Sequence, residues 1–227
     1  MTEAWIIDAA RTPRGIGKQG KGALWEVHPQ KLLSTVLRAL VTRSGLDSQD
    51  IDDVIISCST QFGKQGACIG RMAALDAGFS NKASGVTLDR FCGGGISAVN
   101  FAAGSIMSGM EDLIIAGGVE MMSYTRAEAP NRPLDAGNLE LREAHPQTNV
   151  GLAADIIATE EDFSRAELDA FSATSQQRAG KALLDGAFTK SLIPVYRPDG
   201  TLALDTEEFP RPQTTVESLA KLEPVFG

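Results

Sequence analysis

The sequence predicts an α/β fold built on a largely parallel sheet. Short apolar runs rich in β-branched residues alternate with longer segments whose apolar residues recur at helical spacing. Strands that alternate with helices are joined by crossover connections, and such connections produce parallel sheets. The 227 residues, 43% of them hydrophobic, are enough for one large domain or two small ones.

The first predicted elements are a strand and a helix separated by a loop. Residues 4–10 (AWIIDAA) are typical of a buried strand, and the loop that follows contains Pro13 and four glycines. A helix is predicted over residues 29–44, because Pro29 suits a first helical position and Gly45 provides a stop. The chain therefore begins with the alternation that the fold class requires.

The same alternation continues toward residue 123. A buried strand is predicted over residues 52–60 and a further strand over residues 84–91, with a helix over residues 66–78 between them. A helix over residues 93–109 and a strand over residues 113–116 follow. These elements continue the alternation that implies crossover units and a largely parallel sheet.

The sequence changes character after residue 123. Residues 124–150 are polar and interrupted by prolines, and a helical unit follows in which Ser164 and Glu167 have capping-box spacing. Residues 193–209 are predicted to form a hairpin that turns at a Pro-Asp-Gly sequence. We therefore predict a second domain that comprises residues 124–227, after a first domain of residues 1–123.

Charge and cysteine usage exclude several classes of function. The net charge of −8 argues against nucleic acid or an anionic membrane surface as a partner, and no apolar run approaches the ~20 residues that span a bilayer. Cys58, Cys68 and Cys92 lack the spacing of a metal site. This spacing predicts no metal. An odd cysteine count without a secretory signal predicts a cytoplasmic location.

Cys92 is the candidate nucleophile. It lies between a predicted strand and a predicted helix, and three glycines follow it (DRFCGGGISAV). A thiol at a helix N-terminus is favoured in its anionic form, and glycines let a substrate carbonyl approach the backbone. A small buried cysteine in a glycine-rich packing motif would give the same pattern, so the residues alone leave both interpretations open.

The other candidate residues favour structural roles. Cys58 lies inside an apolar strand, and Cys68 lies at a helix start, so we predict packing for both. A resolving cysteine near Cys92 would instead indicate a redox protein, and the sequence does not place either thiol there. His28 and His145 lack the pattern of a catalytic base, and we predict surface or capping roles for them.

Six segments in order resemble the thiolases, the acetyl-CoA acyltransferase family. The resemblance covers nearly all of the chain and includes the sequence around Cys92. The segments are IIDAARTPRG, GRMAALDAGF, DRFCGGGISAV, IIAGGVEMMS, RAELDAFSATSQQRAGKA and FPRPQTTVESLAKLEPVF.

The resemblance implies half of a thiolase-like layered α-β-α fold with an inserted α/β loop domain. Cys92 would be acylated by an acyl-CoA, followed by Claisen condensation or by the reverse, CoA-dependent cleavage of a 3-ketoacyl-CoA. The resemblance places coenzyme A contacts on Arg211 and Ser218, with CoA as a substrate and no permanently bound cofactor. It also implies a homodimer or homotetramer, or a partner chain that supplies the C-terminal half.

The sequence departs from the family pattern at several points. Gly94 stands where the family usually has serine, and Asn149 stands where it often has a histidine. The family's Gly-His-Pro and Cys-x-Gly-Gly-Gly motifs, which supply the base and a second cysteine, do not occur in these 227 residues. The chain thus resembles the front half of a thiolase.

Three interpretations follow from these departures: a fragment of a longer enzyme, a split subunit, and a non-catalytic thiolase-like CoA-binding or scaffold subunit. The intact sequence around Cys92 favours the two enzyme interpretations. We expect negligible turnover and marginal stability from the 227 residues alone. The sequence does not indicate acyl chain length or the direction of the reaction.

Overall fold

The structure is a computed structural model that describes residues 3–128 and 133–226. Its contacts divide the chain into two compact units, and each is described by itself. Unit 1 comprises Met1–Ala129 with Thr189–Phe209, and unit 2 comprises Pro130–Phe188 with Pro210–Gly227. The segment Thr189–Phe209 falls within the predicted second domain but makes its contacts in unit 1. The boundary between the two predicted domains stays a prediction.

Unit 1 is built on a parallel sheet of three strands, and it also contains a separate antiparallel hairpin of two strands. The central strand pairs with both neighbours, so Ile55 lies opposite Val86 on one side and Ala116 on the other. The elements of unit 1, numbered in chain order, are α1 Pro29–Ser44, β1 Asp53–Ser57, α2 Ile69–Asp76, β2 Val86–Leu88, α3 Gly94–Ser108, β3 Ile114–Gly118, α4 Met122–Glu128, β4 Val195–Tyr196 and β5 Leu202–Leu204.

The two faces of this sheet are covered by different helices. Side chains alternate along a strand, so Val54 and Ile56 on β1 pack in one core with residues of α1 and α2. Ile55 points to the opposite face, where it packs with Ala98 and Ala102 of α3. The sheet order is β2-β1-β3, and the arrangement is the layered α-β-α fold that the family resemblance implies.

Unit 2 is largely helical. Its elements are α5 Leu139–Ala144, α6 Val150–Glu160, α7 Arg165–Leu184 and α8 Val216–Leu219. The predicted capping box of α7 is confirmed, because the Ser164 hydroxyl accepts the Glu167 N–H and the Glu167 carboxylate accepts the Ser164 N–H. Helix α6, which the sequence analysis does not identify as a separate helix, begins at an Asn149 cap whose side chain accepts the Gly151 N–H at 2.8 Å.

Most of the predicted elements are confirmed. Helices α1 and α3 end at Gly45 and Gly109, whose φ angles of 65° and 77° lie in the left-handed region that favours glycine. The predicted hairpin is also confirmed: β4 and β5 are antiparallel, and Gly200 in the turn has a φ of 84°.

The predicted strand over residues 4–10 is wrong. The described part of this segment has no strand, and Trp5, Ile6 and Ile7 are 77%, 81% and 71% exposed. A strand requires a neighbour for its N–H and C=O groups, and this region makes only an isolated parallel bridge between Arg11 and Leu192. The apolar side chains therefore lie at the surface of the described structure.

In the described ranges 3–128 and 133–226, none of the helices has both the length and the apolar character required to cross a membrane.

Candidate active site

Cys92 lies at the carboxyl edge of the parallel sheet. It follows the end of β2 by four residues, and α3 begins two residues after it. The intervening 3-10 turn, Phe91–Gly93, is closed by two hydrogen bonds. The Gly93 N–H donates to the Arg90 carbonyl at 3.1 Å, and the Gly94 N–H donates to the Phe91 carbonyl. The Cys92 side chain is exposed.

This elbow differs in detail from the sequence expectation. The strand ends at Leu88 instead of Phe91, and a turn of 3-10 helix separates it from α3. Phe91 has a φ of 47°, which is costly for an aromatic residue, and its N–H donates to the Asp89 carboxylate at 2.8 Å. The strained backbone immediately before Cys92 is held by this bond, as is common at functional sites.

A polar network fixes the loops that follow β1 and β3. Gln65, which is completely buried, donates from its amide nitrogen to the Thr60 carbonyl at 3.0 Å and to the Glu120 carboxylate at 2.8 Å. Its amide oxygen accepts the Met121 N–H at 2.6 Å. The other oxygen of Glu120 accepts the Ser59 N–H at 2.9 Å. The network joins two loops at the edge of the sheet that carries Cys92.

The sequence analysis missed Gln65 and Glu120. Glu120 lies in a segment that the analysis identifies, and Gln65 lies in the loop between a predicted strand and a predicted helix. Neither has a local motif, because the two residues are 55 positions apart in the chain. The local sequence of Gln65, Gly-Lys-Gln-Gly, gives no signal that its side chain will be buried.

Cys58 is a buried, protonated thiol. Its side chain is 1% exposed on the face of β1 that packs against α1 and α2, opposite the face covered by α3. Burial raises the pKa of Cys58 to about 12, and the nearby Glu120 carboxylate adds to the increase. Its predicted packing role is confirmed, and a redox pairing with Cys92 has no support from this geometry.

The packing role predicted for Cys68 is wrong, because its side chain is exposed at the start of α2. Its sulfur lies 3.5 Å from the Gly85 carbonyl and 3.6 Å from the Thr87 hydroxyl. Its φ of 51° places it in the left-handed region at the start of α2. The cysteines at positions 58, 68 and 92 are all free thiols.

The two histidines have local structural positions. The His28 ring accepts the Gln30 N–H at 3.2 Å and thereby caps α1, which confirms the predicted capping role. Burial and the charge of Lys64 lower the pKa of His28. His145 is exposed at the end of α5, where its N–H donates to the Leu141 carbonyl at 2.8 Å.

Arg211 and Ser218 both lie in unit 2. Arg211 is exposed, and its backbone N–H donates to the Gln176 side chain at 2.7 Å. The Ser218 hydroxyl donates to the Thr215 carbonyl at 2.7 Å and accepts the Thr215 N–H at 3.0 Å in the capping box of α8. Ser218 therefore has a structural role beside any contact with a ligand.

No cluster of three or more His, Cys, Asp or Glu side chains with the arrangement of a metal site is found within residues 3–128 and 133–226.

Comparison with known proteins agrees with this geometry. Residues 4–227 match the family model described as "Thiolase, N-terminal domain". The chain is 37% identical to the β-ketoadipyl-CoA thiolase of Pseudomonas knackmussii and 35% identical to the 3-ketoacyl-CoA thiolase of Bacillus subtilis. These matches cover 99% and 100% of this chain, and 60% of each relative.

A solved structure is similar over the same extent. The crystal structure of the Bacillus anthracis acetyl-CoA acetyltransferase superposes with a TM-score of 0.84 at 30% identity. The superposition covers 100% of this chain and 60% of that one. The chain thus spans about 60% of the length of these relatives. The agreement in sequence and in fold shows that this chain belongs to the thiolase family.

Proposed function

We propose that this chain carries the nucleophile of a thiolase-type acyl-CoA C-acyltransferase. Cys92 accepts an acyl group from an acyl-CoA, and the acyl-enzyme then condenses with a second acyl-CoA to give a 3-ketoacyl-CoA. The reverse reaction cleaves a 3-ketoacyl-CoA with free CoA. Membership of the family supports this reaction class, and the curated relatives carry thiolase names.

The observation that carries the proposal is the position of Cys92. An exposed thiol lies on a closed turn at the carboxyl edge of a parallel sheet, two residues before α3. The start of a helix of this length attracts negative charge that develops on a bound group. Ordinary packing would not require the thiol to be exposed.

Acylation exchanges the thioester to CoA for a thioester to Cys92. The Cys92 thiol loses its proton as its sulfur attacks the thioester carbonyl carbon and forms a new carbon–sulfur bond. The bond to CoA breaks, and the CoA sulfur takes up one proton and leaves as a thiol. In condensation, the α-carbon of a second acyl-CoA loses a proton and attacks the acyl group on Cys92. The new carbon–carbon bond forms as the bond to Cys92 breaks, which returns the thiol.

Arg211 and Ser218 are proposed as contacts for the CoA moiety. Arg211 has the exposure that phosphate contact requires, since a guanidinium on an open surface can reach a ligand phosphate. Ser218 can contribute only the part of its hydroxyl that the α8 capping box leaves free. We also propose a cytoplasmic location and assembly as a homodimer, as a homotetramer, or with a chain that supplies the remaining thiolase half.

The proposal is tested by acylation of the protein purified from its natural source, at its natural length and with its natural partners. The protein is incubated with acetyl-CoA, quenched in acid, digested with trypsin and analysed by mass spectrometry. We expect one acetyl group on the peptide that contains Cys92, because that peptide (residues 91–126) contains no other cysteine. Cys92→Ala should abolish the modification, whereas Cys68→Ala should retain it.

Two outcomes would contradict the proposal. Acetylation that persists in Cys92→Ala would place the nucleophile elsewhere. Binding of acetyl-CoA without any acylation would favour a non-catalytic CoA-binding or scaffold subunit. The 227-residue protein produced alone should show negligible condensation and cleavage, because the motifs that supply the base and second cysteine in the family do not occur in it. Measurable turnover by that protein would overturn this expectation.

A further inference from the structure

Ser57 lies at the centre of the edge that carries Cys92. It is the last residue of β1, it pairs with Leu88 on β2 and with Gly118 on β3, and it is only 6% exposed. Its carbonyl accepts the Val119 N–H at 3.0 Å. Residue 57 is therefore held on both sides by the sheet and provides a rigid platform.

The Ser57 side chain points to the face of the sheet that α3 covers, and it lies against Gly94. A Cβ atom added at Gly94 would fall on the Ser57 hydroxyl and would lie 2.8 Å from the Ser57 Cβ. Gly94 is itself buried. Any side chain at position 94 must therefore displace either the central strand or the first turn of α3.

The other two glycines after Cys92 are not restricted in this way. A Cβ at Gly95 would meet no atom within 4 Å, and a Cβ at Gly93 would approach only the Arg90 side chain, at 3.9 Å. Of the three glycines in this sequence, Gly94 alone is required by packing, and the residue that requires it is Ser57.

Gly94 is connected directly to the turn that holds Cys92. Its N–H donates to the Phe91 carbonyl, so the hydrogen-bonded turn encloses Cys92. The buried Ser97 hydroxyl donates to the Gly93 carbonyl at 3.2 Å and fixes the same turn from within α3. A shift of Gly94 against Ser57 would therefore move the thiol.

We propose that Ser57 is a positioning residue for Cys92, which acts through its contact with Gly94. The inference rests on the proposed function only in taking Cys92 as the nucleophile. The thiolase resemblance places a serine at position 94, and here β1 supplies a hydroxyl to the same space. The space between positions 57 and 94 thus holds a single hydroxymethyl side chain, which Ser57 supplies and for which Gly94 leaves room.

The test exchanges the two residues and measures the rate at which iodoacetamide alkylates each cysteine. Trypsin separates the three cysteines into peptides 44–64, 65–71 and 91–126, so one digest gives three rates. Buried Cys58 reports whether the fold is intact, and exposed Cys68 reports access of the reagent. The variants are Ser57→Gly, Gly94→Ser, their combination, and Gly95→Ser as the matched control.

We expect Gly94→Ser to slow Cys92 alkylation by about tenfold, because overpacking displaces the hydrogen-bonded turn that holds the thiol. Ser57→Gly should slow it by about threefold or more, since the turn loses its support. The combined variant should return the rate to within about twofold of the natural protein, because the two changes compensate. Gly95→Ser should leave the Cys92 rate unchanged.

The result that overturns the proposal is a Ser57→Gly protein with protected Cys58 and an unchanged Cys92 rate. A combined variant that protects Cys58 but remains as slow as Ser57→Gly would overturn it equally, and so would a combined variant that leaves Cys58 unprotected. If Gly94→Ser alone exposes Cys58, recovery in the combined variant still decides the question. Alkylation requires no acyl-CoA, so failure of the proposed acylation would leave these rates interpretable.

Discussion

The amide nitrogen of Gln65 donates to the carboxylate of Glu120 at 2.8 Å, and this bond joins the loop after β1 to the loop after β3. Gln65 is completely buried, and its amide oxygen accepts the Met121 N–H at 2.6 Å. Gln65 and Glu120 thus form hydrogen bonds with each other and with backbone groups of the two loops. Gln65 and the Met121 N–H are buried, and buried polar groups of this kind stabilise the fold only when they are paired.

Replacement of Gln65 by leucine should therefore destabilise the protein strongly. The change keeps a similar volume but leaves the Met121 N–H and one Glu120 oxygen without their partner. We expect a loss of about 2–3 kcal/mol in the free energy of unfolding, measured by urea titration at neutral pH. Gln61→Leu makes the same substitution at an exposed position four residues earlier, and it should change stability little. Equal losses in the two variants would refute the role assigned to the network.

The elements that sequence predicts well are those fixed by neighbouring residues. The capping box of Ser164 and Glu167, the stop of α1 at Gly45 and the turn at Gly200 all follow from a few adjacent side chains. Their backbone conformations depend on local hydrogen bonds and on the freedom of glycine. Tertiary packing leaves these local backbone conformations unchanged.

The parts that sequence does not predict depend on residues far apart in the chain. Residues 4–10 have the composition of a strand, but pairing requires a neighbour that local sequence does not reveal. The Gln65–Glu120 bond and the Ser57–Gly94 contact likewise join separate elements. The sequence identifies Cys92 as a candidate site residue, but it does not reveal the groups that hold the turn in place.

The raised pKa of Cys58 predicts loss of stability in alkaline solution. Burial keeps this thiol protonated up to a pKa of about 12 in the folded protein, whereas an unfolded cysteine ionises near pH 8.5. The contribution of this pKa difference to the free energy of unfolding is fully present below pH 8.5. It is lost as pH rises toward 12, because the thiol of the unfolded state releases its proton first. In urea titrations between pH 8 and pH 10.5, the stability advantage of the natural protein over Cys58→Ala should shrink by at most about 1.4 kcal/mol per pH unit. A pH-independent difference between the two proteins would contradict the assignment.

The capping box of α7 predicts a smaller, local effect. Ser164→Ala removes the hydroxyl that accepts the Glu167 N–H at the start of the helix. We expect unit 2 to lose about 1 kcal/mol of stability, measured by the temperature or urea midpoint of its helical circular dichroism signal. Ser172→Ala, at an exposed position within the same helix, should be neutral or slightly stabilising because alanine has the higher helix propensity. If the two substitutions behave alike, the cap contributes no stability of its own.

The outer face of α3 predicts self-association of the 227-residue protein. Ile96, Val99 and Met107 recur at helical spacing and are 72%, 39% and 52% exposed, so they form an apolar stripe along one side of the helix. Water contact with such a stripe is unfavourable, and burying it between chains gains about 25 cal/mol per Å² of apolar surface. We expect light scattering on a sizing column to give a mass above that of a monomer, and Ile96→Lys should shift the protein toward monomer. Ile96→Leu preserves the apolar surface and should preserve the association. If the 227-residue protein without substitutions stays monomeric at high concentration, the stripe does not drive self-association.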